Sequence, residues 1–202
     1  MTPAGGVHLA DLLEDLKRIA ERQRAYASLR EGGTKGQKEL TVLLDLLASM
    51  RASGDEHYFN PGLSPEDPPD CIARTAAGQL VAVEVTELVS QEAIEYNERT
   101  RRELGRRPDI TEMVMHRWTR EDLLRHIDTI LIRKESRVYE GGPYAEVVVV
   151  IHTDEPLLVR ERCEEWLTNY RFGPFGTITT GYLLYPYQPP SGYPYRRLFG
   201  AA

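Results

Sequence analysis

Two carboxylates lie on neighbouring candidate strands near the middle of the sequence. The stretch from Pro68 to Glu87 predicts two short strands joined at Gly78, with Asp70 entering the first strand and Glu84 in the middle of the second. The second strand is otherwise apolar, and ionised carboxylates are rarely buried without a partner. The pair therefore requires a cation, a metal ion or a catalytic role.

Side-chain alternation along the second strand decides which groups share a face. Asp70 lies on the same face as Glu84 if Ala76 pairs with Leu80 around a three-residue loop, which places Asp70 opposite Thr86. A loop of even length would put Asp70 on the other face. Alternation places two sets of residues on opposite faces of this strand. The face of Glu84 also carries Leu80, Ala82, Thr86 and Leu88, and the other face carries Val81, Val83 and Val85.

A metal ion would explain the two carboxylates. Carboxylates a few Å apart raise each other's pKa unless a positive charge separates them. A hard divalent cation prefers oxygen ligands, and it can lower the pKa of bound water and polarise a phosphodiester. We therefore expect Asp70, Glu84 and the backbone carbonyl of Val85 to hold Mg²⁺, or Mn²⁺ as its usual substitute.

One further carboxylate points inward from a helix that precedes the hairpin. Thr34 can cap a helix from about Lys35 to Ala52. At about 100° per residue, Glu39 falls within the apolar stripe of this helix, which predicts that it faces the core. The alternative is that Glu39 occupies the first turn, where a carboxylate favours the positive end of the helix dipole and still reaches water.

A lysine points inward from a later helix. Hydrolysis of a phosphodiester needs a positive charge near the attacking water, and Thr86 does not supply one. Thr119 caps a long helix that we predict to continue to about Tyr139. Lys134 projects from the middle of its core-facing stripe, although such a side chain can also extend to solvent. The stripe consists of Leu123, Ile127, Ile130 and Val138.

These motifs resemble the PD-(D/E)XK nuclease (restriction-endonuclease-like) superfamily over roughly residues 34–152. The resemblance rests on Pro69-Asp70, on Glu84-x-Thr86 in an apolar strand, on an inward Glu39 and on the helix and strand that follow. It implies an α-β-β-β-α-β core, Mg²⁺ held by Asp70 and Glu84, and cleavage of DNA. Thr86 replaces the lysine of the family. Variants that move the lysine to the following helix imply Lys134 as its substitute, so the implied catalytic residues are Asp70, Glu84, Lys134 and Glu39.

The remaining sequence predicts an α/β protein with a mixed sheet of about four to five strands flanked by helices. The chain has 202 residues, 41% of them apolar, which suits one core. We expect a helical extension over residues 1–33, including a helix from Val7 to Arg30, and a single domain over residues 34–202. The β-branched run from Ala145 to Ile151 predicts a central strand. Helices are also expected over residues 91–105 and 156–170, strands over residues 57–59 and 177–185, and a Pro/Tyr-rich tail from residue 186.

Charge and aromatic residues suggest partners. A net charge of −6 argues against a protein that binds nucleic acid over its whole surface, but it permits a local basic groove. One stretch could follow a phosphate backbone, although Glu98 and Glu103 within it favour a solvated helical face. Its cations are Arg99, Arg101, Arg102, Arg106 and Arg107. Five tyrosines could stack on bases, pack on their own domain or form a homodimer: Tyr182, Tyr185, Tyr187, Tyr193 and Tyr195.

Other features favour structural interpretations. Cys71 and Cys163 match no metal spacing and are expected to be buried free thiols in a reducing compartment. No run is long enough to span a membrane, so we expect a cytoplasmic protein without a membrane partner. His152 ends the strongest strand, where a histidine is usually hydrogen-bonded structure.

Two alternatives to a nuclease remain open from the residues. The same fold could be catalytically inactive and act as an interaction module. Alternatively, Glu84 could form a buried structural ion pair with Arg74 or Lys134, in which case its substitution would chiefly reduce stability.

Overall fold

The computed structural model describes Ala27 and residues 33–189 and 191–200. Except for Ala27, the helix expected from Val7 to Arg30 lies outside this part of the chain. Within it there are four helices and six strands, in the order α1 (Lys35–Ser53), β1 (Tyr58–Leu63), β2 (Cys71–Thr75), β3 (Leu80–Glu87), α2 (Gln91–Leu104), α3 (Arg120–Glu135), β4 (Glu146–His152), α4 (Arg160–Leu167), β5 (Thr180–Leu184) and β6 (Tyr195–Phe199).

The six strands form one mixed sheet in which spatial order follows chain order. Strands β1, β2 and β3 are antiparallel, β3, β4 and β5 run parallel, and β6 returns antiparallel to β5. The expected count of four to five strands is therefore too low. The additional strand is β6, which comes from the segment predicted to be a Pro/Tyr-rich tail.

Helices cover both faces of the sheet, and the alternation of β4 shows this directly. Val148 and Val150 pack in a cluster with Leu43 and Leu46 of α1. The neighbouring Val149 packs in a second cluster, on the opposite face, with residues of α3 and α4. The predicted central strand, covered on both faces, is confirmed.

The start of α1 agrees with the sequence prediction. The Thr34 side chain accepts a hydrogen bond from the Gln37 amide, and the Gln37 side chain accepts one from the Thr34 amide. This reciprocal pair satisfies two amides that a helix start leaves without partners. The helix ends at Gly54, whose φ of 73° lies in the left-handed region that glycine favours. Both ends position the inward face of α1.

Two helices are shorter than the sequence predicts. Helix α3 ends at Glu135 and not near Tyr139, because the chain turns at Ser136 and the Tyr139 hydroxyl donates to the Lys134 carbonyl. Val138 is consequently 78% exposed and is not part of the core-facing stripe. Helix α4 begins at Arg160 instead of residue 156, because the Leu158 amide first bonds back to Glu155 in a turn.

Candidate active site

The β2–β3 hairpin places the two carboxylates side by side. The Thr75 amide donates to the Gln79 carbonyl at 3.0 Å, which leaves residues 76–78 as a three-residue loop. Cys71 pairs with Val83, so the register places Asp70 level with Glu84 and not with Thr86. The predicted pairing of Ala76 with Leu80 is therefore wrong. The observed register differs from the predicted one by two residues, so Asp70 and Glu84 still lie on the same face of the sheet, as predicted.

Strands β2 and β3 part at the level of Asp70. The Val85 amide donates to Asp70 Oδ2 at 2.9 Å instead of to a backbone carbonyl. Leu80 and Leu88 form their backbone bonds towards the β4 side. Since the amide and carbonyl of one strand residue point to the same side and neighbouring residues alternate, the Val85 carbonyl also points towards Asp70. The Asp70 carboxylate thus accepts the hydrogen bond that a backbone carbonyl of a neighbouring strand would otherwise accept.

Glu84 lies at the buried centre of the site and is 0% exposed. Its Oε2 accepts hydrogen bonds from Lys134 Nζ and, at 2.9 Å, from Arg137 Nη1. Its Oε1 has no hydrogen-bond partner among the described residues. Burial raises the pKa of the Glu84 carboxyl, and Lys134 opposes this only in part.

Lys134 bridges the two carboxylates of the hairpin. Besides its bond to Glu84, its ammonium nitrogen lies 3.9 Å from Asp70 Oδ2. Its side chain does not extend to solvent, because it is buried on the inner face of α3 with Leu131 and Ile127. The predicted inward direction of Lys134 is thus what the structure shows.

Helix α1 adds two further charges to the site. Lys35 Nζ lies 3.4 Å from Asp70 Oδ1 and 3.4 Å from Glu39 Oε1. The Glu39 side chain is only 14% exposed, so it faces inward from the first turn. Burial and the neighbouring Asp70 charge raise the pKa of Glu39, and Lys35 works against this. Lys35 was not predicted, although its i,i+4 spacing from Glu39 places both on one helix face.

The carboxylate site is therefore a cluster of six charged residues from α1, the β2–β3 hairpin and the end of α3. Three are anionic and three cationic: Glu39, Asp70, Glu84, Lys35, Lys134 and Arg137. Arg137 was missed because a helix continuing to Tyr139 would direct it elsewhere. Arg74, the other suggested partner of Glu84, is exposed and donates to the Gly78 carbonyl instead.

The oxygen atoms at this site are of the chemical type that a hard divalent cation binds. Asp70, the unsatisfied Oε1 of Glu84 and the Val85 carbonyl offer the all-oxygen ligand set that Mg²⁺ and Mn²⁺ accept. Binding would require Glu84 to loosen its bonds to Lys134 and Arg137, because the three positive charges already balance the three carboxylates. We therefore expect weak binding of the free ion.

A second cluster lies at the ends of β3 and β4. Glu87, His152 and Asp154 each place one potential ligand atom within 4.8 Å of the others, and such a group could hold a metal ion. The sequence indicated only a structural role for His152. The available signal was the end of a strong strand, but the pairing of Glu87 with His152 depends on the β3–β4 register, which the sequence does not fix.

Several of the other predicted partner residues already interact within the fold. Arg101 is paired with Glu98, and Arg106 with Glu112. Tyr182 and Tyr185 are fully buried, so they cannot stack on bases, whereas Tyr187 is exposed. Cys71 and Cys163 are buried free thiols, as expected. In the described part of the chain, no helix combines the length and apolar character needed to cross a membrane.

No protein-family model, curated protein or solved structure matches the chain. Its function must therefore be argued from the geometry of the two clusters.

Proposed function

We propose that the protein is a metal-dependent, nuclease-like hydrolase that cleaves phosphodiester bonds in nucleic acid, with DNA as the first candidate. The observation that carries the proposal is the meeting of Asp70, Glu84 and Lys134, which come from three elements, where β2 and β3 part. A restriction-endonuclease-like core is supported by the element order. An antiparallel β1–β2–β3 meander follows α1, and β4 lies parallel to β3.

The hairpin would provide the metal ligands. Asp70, Glu84 and the Val85 carbonyl would hold Mg²⁺ or Mn²⁺, which when bound lowers the pKa of a water molecule and polarises the phosphodiester. The Val85 amide fixes Asp70 Oδ2, so the orientation of this carboxylate is set before any substrate arrives. Such preorganisation avoids a reorganisation cost during the reaction.

The helices would provide the acid–base and electrostatic groups. Lys134 holds an ammonium group between two carboxylates, from where it can orient the attacking water and stabilise negative charge that develops on the phosphate. Glu39 has a raised pKa, which brings it closer to the range of an effective general base. Arg137 is half-buried and can exchange its bond to Glu84 for one to a substrate phosphate.

Cleavage of supercoiled and single-stranded DNA with Mg²⁺ or Mn²⁺ tests the proposal. Asp70→Ala and Glu84→Ala should each lower the rate by roughly 10³-fold, because a catalytic metal contributes several kcal/mol and each 1.36 kcal/mol is tenfold. Glu161→Ala, which removes an exposed carboxylate of α4, is the matched control and should cleave normally. Equal rates for wild type and the Asp70→Ala/Glu84→Ala variant would refute the proposal.

A non-catalytic interaction module is the second candidate. It is favoured by one observation, namely that Glu84 already has two cationic partners in Lys134 and Arg137. Calorimetry distinguishes the candidates. A nuclease should bind Mg²⁺ at millimolar concentration and lose that binding in Glu84→Ala. Absence of Mg²⁺ binding by folded wild type would favour the module.

A further inference from the structure

We infer that the ends of β3 and β4 form a second metal site that takes one first-row transition-metal dication such as Zn²⁺. The site consists of Glu87, His152 and Asp154, whose ligand atoms lie within 4.8 Å of one another. It is separate from the carboxylate site. Glu84 and Glu87 stand at even and odd positions of one strand, so alternation directs them to opposite faces of the sheet.

The backbone holds the three ligands together. Glu87 and His152 are direct neighbours in the parallel β3–β4 pairing, and the Leu88 amide donates to the His152 carbonyl at 2.7 Å. Adjacent strands lie about 4.8 Å apart, a spacing that one ion can bridge. Asp154 follows immediately after Thr153, whose amide donates to the Leu184 carbonyl at 3.1 Å. Thr153 Oγ1 also accepts from the Glu155 amide, which fixes the backbone on both sides of Asp154.

Burial makes the charge of this cluster significant. Asp154 is 4% exposed and the adjacent Glu155 is 0% exposed. The Ser90 amide satisfies Glu155 Oε1 at 2.5 Å. The Asp154 carboxylate lies beside that of Glu87, and two neighbouring negative charges favour a cation between them. A dication would balance both charges.

The ligand types select the class of metal. Imidazole nitrogen suits Zn²⁺ and other transition-metal dications, whereas Mg²⁺ and Ca²⁺ prefer ligand sets made of oxygen. One imidazole and two carboxylates leave a fourth position of a tetrahedral ion for water. The ion would tie together the ends of two parallel strands and the connection to α4. Its expected role is stabilisation, and it does not depend on nuclease activity.

Metal titration of the full chain tests the inference. The Asp70→Ala/Glu84→Ala variant, stripped of metal by chelation, lacks the ligands of the carboxylate site. It should bind one equivalent of Zn²⁺ by calorimetry, and Co²⁺ should give the visible absorption of a tetrahedral site. Adding Glu87→Gln or His152→Ala should weaken binding at least tenfold, since even residues that only support metal ligands contribute 10- to 100-fold. His57→Ala, at a histidine outside both clusters, is the matched control.

Two comparisons keep the test decisive. Glu87→Gln preserves size and shape, so it replaces His152→Ala if that variant does not fold. If the double variant does not fold, wild type should bind one more equivalent of Zn²⁺ than Glu87→Gln. Zn²⁺ should also raise the Tm of wild type more than that of Glu87→Gln. The inference is wrong if the folded double variant binds neither Zn²⁺ nor Co²⁺, or if folded Glu87→Gln binds as tightly as its parent.

Discussion

Lys134 illustrates how strongly one buried charge depends on its partner. Its ammonium group is hydrogen-bonded to the fully buried Glu84 and lies close to Asp70, which is almost fully buried. A buried pair of this kind is not a strong source of stability, because desolvation offsets much of the attraction. Removing only one partner is different, since it leaves the other charge buried without compensation.

Lys134→Met should therefore destabilise the protein by about 3–5 kcal/mol, because Glu84 would retain only the half-exposed Arg137 as partner. The double substitution Glu84→Gln/Lys134→Met should recover most of the loss. Urea unfolding at neutral pH measures both. Arg133→Met, at the exposed neighbouring position of α3, is the control and should change stability little. A loss below about 1 kcal/mol for Lys134→Met would mean that the pair is solvated.

Glu39 gives the site a pH dependence. The pKa of Glu39 is raised in the folded state, so the folded protein holds a proton that the unfolded chain releases. The contribution of Glu39 to stability therefore falls as the pH rises above 4.5 and through the folded pKa. Glu39→Gln removes the repulsion of Asp70. The variant should be more stable than wild type at neutral pH, and the difference should disappear below about pH 4.

Urea unfolding of Glu39→Gln across this pH range provides the measurement. Glu92→Gln, an exposed carboxylate in the first turn of α2, serves as the control. A lower stability of Glu39→Gln at neutral pH would show that the attraction of Lys35 outweighs burial and the repulsion of Asp70.

At the level of elements, the sequence predicted those whose signals are local. The reciprocal Thr34–Gln37 cap begins α1 at the expected residue, and a run of valines predicts β4 because both faces of that strand are covered. The end of α3 could not be predicted in this way. It depends on the Tyr139 hydroxyl reaching the Lys134 carbonyl, and on amides near Thr177 that bind the Glu135 carboxylate.

The same distinction applies to the candidate site. Helical and strand periodicity found Glu39, Glu84 and Lys134, because each stands at an apolar position of its own element. The position of Arg137 could not be predicted without knowing that the chain turns at Ser136. The Glu87–His152 pair could be predicted only from the register between the parallel strands β3 and β4. These strands are far apart in sequence, and no local pattern specifies their register.

Strand β6 should be sensitive to a single methyl group. A Cβ at Gly181 of β5 would overlap the Phe199 ring of β6, so Gly181→Ala must displace that ring. We expect a loss of about 1–3 kcal/mol in urea unfolding, the usual cost of overpacking. Trypsin should also cleave faster after Arg196 and Arg197.

Gly62→Ala provides the control for this substitution. Gly62 lies in β1, at the edge of the sheet opposite β6, and a Cβ there would meet no atom within 4 Å. Equal stability and equal trypsin resistance for Gly181→Ala and Gly62→Ala would show that Phe199 moves aside without loosening β6.

On the scale of the whole molecule, one sheet joins two apolar layers. The layer on one face includes α1, and the layer on the other includes α3 and α4. The carboxylate site draws its charged residues from α1 and the end of α3, which belong to different layers. Its geometry therefore depends on both layers being folded together.

This arrangement predicts a single cooperative unfolding transition. Leu46 is 0% exposed in the α1 layer, so Leu46→Ala should cost about 2–5 kcal/mol. Both tryptophans, Trp118 and Trp166, lie in the other layer and report on it by fluorescence. Their transition should nevertheless shift in Leu46→Ala by as much as that measured by circular dichroism. An unchanged fluorescence midpoint would show that the layers unfold separately.

The hydrogen bond from the Val85 amide to Asp70 also makes the site observable without any substrate. This backbone amide lies in the sheet, yet its acceptor is an ionisable side chain. Its NMR resonance should therefore shift when Asp70 gains a proton or binds an ion. Its hydrogen exchange should accelerate in Asp70→Ala, while exchange at Val83, one pleat away, keeps the rate of the intact sheet.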